Sequence, residues 1–133
     1  MPCSLKEEKC GFLVTFSGFT PPVEALDLYR RLADHTVSRK DSYQIQDLTE
    51  IDSDTAFTMS DTIIEDVACR LRDIYGGHGP RIYLAMVTQS AKVRDFLSAV
   101  WNAGAHPPHH KIRFFPNVQA ARAWVNTEMG ITD

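Results

Sequence analysis

Four of the five histidines fall between positions 78 and 110, three of them in the stretch His106-Pro107-Pro108-His109-His110. Imidazole nitrogens ligate zinc and similar metals, so this tract raises the reading of a metal-dependent enzyme. Convergence of the three rings would need a tight turn. Pro107-Pro108 instead favours an extended polyproline geometry that spreads the rings, and no carboxylate or cysteine within the tract completes a tetrahedron. The tract reads first as a solvated loop, and no metal or other cofactor is expected. Gly76-Gly77-His78-Gly79-Pro80 is rich enough in glycine to suggest a phosphate loop. It follows a predicted helix and precedes a predicted strand, the reverse of the order that puts a helix N-terminus at the phosphate. It therefore reads as a helix stop.

Asp52 and Asp54 stand one residue apart in Ile51-Asp52-Ser53-Asp54-Thr55. Paired carboxylates can hold a divalent cation or act as acid and base. Here no glycine and no twelfth-position glutamate follow, so the calcium-loop pattern fails and a solvated loop is expected. Cys3, Cys10 and Cys69 are odd in number and have no paired spacing, which predicts free thiols. Cys69 is expected on the buried side of a helix as a small core residue.

More is expected of the stretch that follows Asp47. Phe57, Thr58 and Met59 put apolar side chains into a connector, where they either pack down as a lid or form a contact surface. The connector leaves the C-terminal end of a predicted strand, where open α/β sheets place ligand crevices. Ser60 opens the next helix. There its hydroxyl can cap, and a phosphoryl group on it would be favoured by the helix dipole.

These residues are positioned by a predicted order of β-β-α-β-α-β-α-β-α, an α/β domain with a mostly parallel sheet of four to five strands and four amphipathic helices. Residues 3–8 and 11–18 form a hairpin that supplies an antiparallel edge. Thr20 before Pro21-Pro22 starts a helix reaching about Val37. Tyr43–Leu48 is a strand with Tyr43, Ile45 and Asp47 on one face and Gln44, Gln46 and Leu48 on the other. After the loop Thr49–Met59, a helix runs from Thr62 to Tyr75. Arg81–Thr88 is nearly all apolar, as a strand covered on both faces should be. Ser90 caps a third helix with Val93, Phe96, Leu97, Val100 and Trp101 inward and Gly104 as its stop. Lys111–Phe115 is the opposite edge strand, and Asn117 caps a last helix with Ala120, Ala121, Trp124 and Val125 inward.

The chain has 133 residues, 14 Lys+Arg, 17 Asp+Glu and a net charge of −3, with 44% apolar and 23% charged residues. That balance predicts one globular domain and no basic footprint for nucleic acid. No apolar run approaches the ~20 residues that span a bilayer. Residues 1–9 lack the apolar stretch of a signal peptide, so a cytoplasmic protein is expected.

The last segment, Phe115-Pro116-Asn117-Val118-Gln119-Ala120-Ala121-Arg122-Ala123-Trp124-Val125, resembles the closing motif of the SpoIIAA-like proteins of the STAS-like superfamily. In that motif a strand ends in phenylalanine, a capped turn follows, and a helix carries alanine and a Trp-Leu or Trp-Val pair. Phe115, Ala121, Trp124 and Val125 fill those places. Gly11–Gly18, Tyr43–Leu48 with Asp47 at its end, and Arg81–Thr88 are similar to the preceding strands of the family. The resemblance covers about Leu5 to Val125. It implies a bacterial-type signalling domain without catalysis, which binds a kinase-like protein partner and is switched by phosphorylation at the start of the second helix. Ser60 of Met59-Ser60-Asp61-Thr62 stands nearest the phosphoacceptor. The family is also similar to the CRAL-TRIO lipid-binding fold, which implies a small apolar ligand or lipid under Phe57 and Met59 as the alternative. The expected working surface is Asp47, Phe57, Thr58, Met59 and Ser60, facing a protein partner, a small apolar ligand or a second copy of the chain.

Overall fold

The computed structural model describes residues 3–18, 27–28, 30–32, 41–51, 65–66, 68–69, 81–105 and 110–131. They form an α/β fold around a five-stranded mixed sheet. The strands are β1 (Cys3–Glu8), β2 (Gly11–Gly18), β3 (Ser42–Ile51), β4 (Ile82–Val87) and β5 (His110–Phe115). Their spatial order is their chain order. β1 pairs antiparallel with β2, and every later pair is parallel. The hairpin is thus one edge and β5 the other, as expected. β4 is buried along its whole length, which explains its apolar run: it meets packed side chains on both faces.

Two α-helices are described in full, α1 (Ala91–Val100) and α2 (Val118–Met129). Residues 27, 28, 30–32 and 65, 66, 68, 69 are also helical and fall within the first and second predicted helices. Leu28, Leu32, Ala68 and the buried face of α1 share one cluster with Phe12, Val14, Leu84 and Met86. α2 packs on the opposite face, where Ala121 and Val125 meet Tyr43, Ile45, Tyr83, Ala85 and Val87. The right-handed habit of strand–helix–strand crossovers accounts for this division. When each strand is added beside the last in one direction, every crossover helix falls on the same face. Only α2, which follows the last strand, is free to turn to the other.

The helix caps match the predicted ones. Ser90 Oγ accepts from the Val93 N–H at 3.3 Å, and Asn117 Oδ1 accepts from the Ala120 N–H at 2.8 Å. α2 ends at Gly130, whose φ of 66° is the left-handed value that glycine adopts without a steric cost.

Four expectations are corrected. β3 does not end at Leu48 but runs to Ile51, because Ser17 and Gly18 of β2 continue the ladder to Glu50 and Ile51 past a register shift. β5 begins at His110, which pairs with Ile82. α1 does not stop at Gly104. It passes into a π-helical turn, Trp101–Ala105, that contains this glycine. Cys69 is exposed, and its neighbour Ala68 is the buried residue; one helical step of ~100° carries residue 69 off the core. Among the described residues no helix is long and apolar enough to cross a membrane.

Candidate functional site

The register of the strands sorts the chemistry by face. Glu8, Gly11, Tyr43, Tyr83 and Lys111 form one row across the α2 face. Lys6, Leu13, Ile45, Ala85 and Arg113 form the next, and Ser4, Thr15, Asp47, Val87 and Phe115 the third. Asp47 therefore lies near the C-terminal end of the parallel strands, half-buried. Its Oδ1 accepts from the Thr49 N–H at 3.1 Å and from the Thr49 hydroxyl at 2.7 Å. The carboxylate thus braces the strand end, a short-range pattern that aspartate makes readily. Phe57, Thr58, Met59 and Ser60 lie outside the described residues, as do Asp52, Asp54 and residues 76–80.

At the same end of the sheet a crevice of about 340 Å³ opens between β4, β5 and the start of α1, lined by Thr88, Ser90, Arg94, Phe114 and Phe115 among others. Its walls are tied together by hydrogen bonds. The Thr88 N–H donates to the Phe115 carbonyl at 3.0 Å. The Ser90 N–H donates to Thr88 Oγ1 at 3.1 Å, and Gln89 Nε2 donates to the Pro116 carbonyl at 3.2 Å. Crevices at this end are where open α/β sheets bind ligands, because the loops and helix N-termini converge there.

The histidine tract divides. His110 is buried at the start of β5, in one row with Ser42 and Ile82 on the face away from α2. His106 and His109 lie outside the described residues. Among the described residues no three His, Cys, Asp or Glu side chains gather as a metal site would require.

Sequence reasoning missed a polar cluster at the opposite, N-terminal end of the strands. Arg122 of α2 forks onto Glu8, with Nη1–Oε1 at 3.0 Å and Nη2–Oε2 at 3.2 Å. The Tyr43 hydroxyl donates to the same Glu8 carboxylate. Tyr43 reaches Glu8 because the residue between them in the row is Gly11, with no side chain to block the ring. A cleft of about 780 Å³ lies beside this trio, next to Lys6, Cys10, Asn126 and Met129. Burial pushes the Glu8 carboxyl up, but hydrogen bonds from Arg122 and Tyr43 and the Arg122 charge outweigh it and hold it below its ordinary 4.5. The Tyr43 phenol is pushed up to about 12, by burial first and the Glu8 carboxylate second.

The sign of the pH dependence follows. A carboxylate with a lowered folded pKa stabilises the fold above its unfolded value and loses that contribution as pH falls through the folded one. Arg122→Met is expected to cost about 1 kcal/mol at neutral pH, a modest value because the pair is partly solvated. The gap between variant and native chain should shrink as pH drops below 4.5. Urea unfolding at a series of pH values checks this, and a gap that stays constant with pH refutes it.

Two glutamines form a second buried polar feature. Gln44 and Gln46 are fully buried on the β3 face away from α2, between Phe12 and Val14 of β2 and Leu84 and Met86 of β4. Gln46 Nε2 donates to Gln44 Oε1 at 3.2 Å. The alternation of β3 was legible, but nothing in the sequence marked this face as fully covered.

Comparison of the chain with protein-family models, with curated proteins and with solved structures finds no match.

Proposed function

We propose that this chain is a non-catalytic, STAS-like interaction domain with four amphipathic helices, which binds a protein partner at the C-terminal end of its parallel strands. The partner-binding segment is Phe57, Thr58, Met59 and Ser60, with Asp47 at its root and Ser60 as the phosphorylation switch. The observation that carries this reading is the crevice at the same sheet end, bounded by Thr88, Ser90 and Arg94. α/β sheets gather their binding loops at that end whatever the ligand. β3 delivers the chain to that end, because it runs on past Asp47 to Ile51.

The test is affinity capture by the full chain from cells of its source, compared with Phe57→Ala, Ser60→Ala and Ser60→Glu variants. A partner retained by the native chain should be lost at least tenfold with Phe57→Ala, since an apolar anchor dominates such contacts. It should be lost with Ser60→Glu and kept with Ser60→Ala. A partner that all three variants retain equally refutes the reading.

A further inference from the structure

β5 is the last strand of the sheet, and its outer edge is paired with no strand among the described residues. The Phe115 carbonyl faces β4, where it accepts from the Thr88 N–H. The alternation of a parallel ladder therefore turns the N–H and C=O groups of Ile112 and Phe114 outward. Such a row of backbone groups, unpaired among the described residues, is a template for another strand.

The side chains along this edge carry one sign of charge. Lys111 and Arg113 are exposed on the α2 face of β5, two residues apart and so about 6.6 Å apart along the strand. Arg94 of α1 is exposed on the other side. Each cation lies over an aromatic ring: Lys111 Nζ is 5.8 Å from the centre of Tyr83, Arg113 5.6 Å from Phe115 and Arg94 5.6 Å from Phe114. Stacking on a ring face holds the cation in place without neutralising it. Lys111 has a distant carboxylate in Glu128 at 3.9 Å. Among the described residues neither arginine has a carboxylate in ion-pair reach. Two of the three cations thus have no ion-pair carboxylate among the described residues, on a chain whose net charge is −3.

We propose that the β5 edge binds an extended acidic segment of a partner protein by strand addition. The backbone of Ile112 and Phe114 continues the ladder, and Lys111 and Arg113 read the carboxylates on one face of the added strand. Strand addition draws affinity from main-chain hydrogen bonds and specificity from alternating side chains. The spacing of Lys111 and Arg113 matches acidic residues at alternate positions. A second copy of β5 is disfavoured as the occupant, because it would set like charges opposite one another. Binding at this edge does not depend on a role for the Asp47–Ser60 segment.

The experiment is an NMR titration of the full ¹⁵N-labelled chain with the peptide acetyl-Thr-Glu-Val-Glu-Thr-Glu-amide. The Ile112 and Phe114 amides should shift and gain protection from hydrogen exchange. Lys111→Gln combined with Arg113→Gln should weaken binding about five- to tenfold, the sum of two exposed charge contacts. Raising the salt concentration should weaken the native complex in the same direction. If the double variant loses its spectral dispersion, Arg113→Gln alone and the salt series provide the same comparison. The proposal is overturned if those two amides do not move at millimolar peptide or if the lysine-for-glutamate peptide binds as well. It is equally overturned if poly-uridylate shifts the same amides at lower concentration, or if the charge substitutions leave affinity unchanged.

Discussion

Gly11→Ala is expected to lower the unfolding free energy by about 3 kcal/mol or more, the upper end of what added volume costs in a packed site. A methyl at this position meets the Tyr43 carbonyl oxygen inside contact distance, with the Tyr43 ring carbons Cγ and Cδ1 at 2.7 and 2.8 Å. The carbonyl is part of the β2–β3 ladder and cannot swing aside as a side-chain tip can. Relief requires β2 and β3 to separate at their shared start, where Tyr43 N–H donates to the Cys10 carbonyl at 3.2 Å. Chemical denaturation measures the loss, and a cost below about 1 kcal/mol would mean that the strands yield easily there.

Tyr43→Ala should cost about 3–4 kcal/mol, because the ring is 5% exposed and fills the row between Gly11 and α2. Tyr43→Phe keeps the ring and removes only the hydroxyl on Glu8, so it should cost about 1 kcal/mol. The difference between the two variants separates ring burial from the hydrogen bond, and equal costs would assign all the stability to the hydroxyl. Combined with Gly11→Ala, the Tyr43→Ala change should recover only part of the loss. It removes the clash with the ring and leaves the clash with the carbonyl, so the two effects are non-additive in a defined direction.

Local signals carried much of the architecture. Ser90 and Asn117 were readable as caps because few residue types can accept an amide hydrogen bond at a helix start. β4 was readable because a doubly covered strand excludes polar side chains. The alternation of Tyr43, Ile45 and Asp47 was readable for the same geometric reason. What could not be read depends on register. The Glu8–Tyr43–Arg122 trio joins three elements, and its reach depends on Gly11 lying between two of them in space. β3 runs past Leu48 through Thr49 and Glu50, whose polarity suggests a loop, because β2 continues to offer a partner. Cys69 was misplaced by one helical step. Of the expected partner-binding residues only Asp47 has a described position, and its local bonding to Thr49, two residues on, was not among the expectations.

The agreement between strand order and chain order has a consequence for how the molecule forms. Each parallel strand docks on the one made just before it, so each crossover closes about as small a loop as a parallel sheet allows. Growth can proceed from the N-terminus during synthesis, with β5 added last to an edge already in place. One long-range closure is the Arg122–Glu8 pair, which joins residues 114 apart in sequence. It forms only after α2 has emerged and folded back on the face the earlier helices left open. Removing it should therefore speed unfolding more than it slows folding, because the late contact is absent from the barrier.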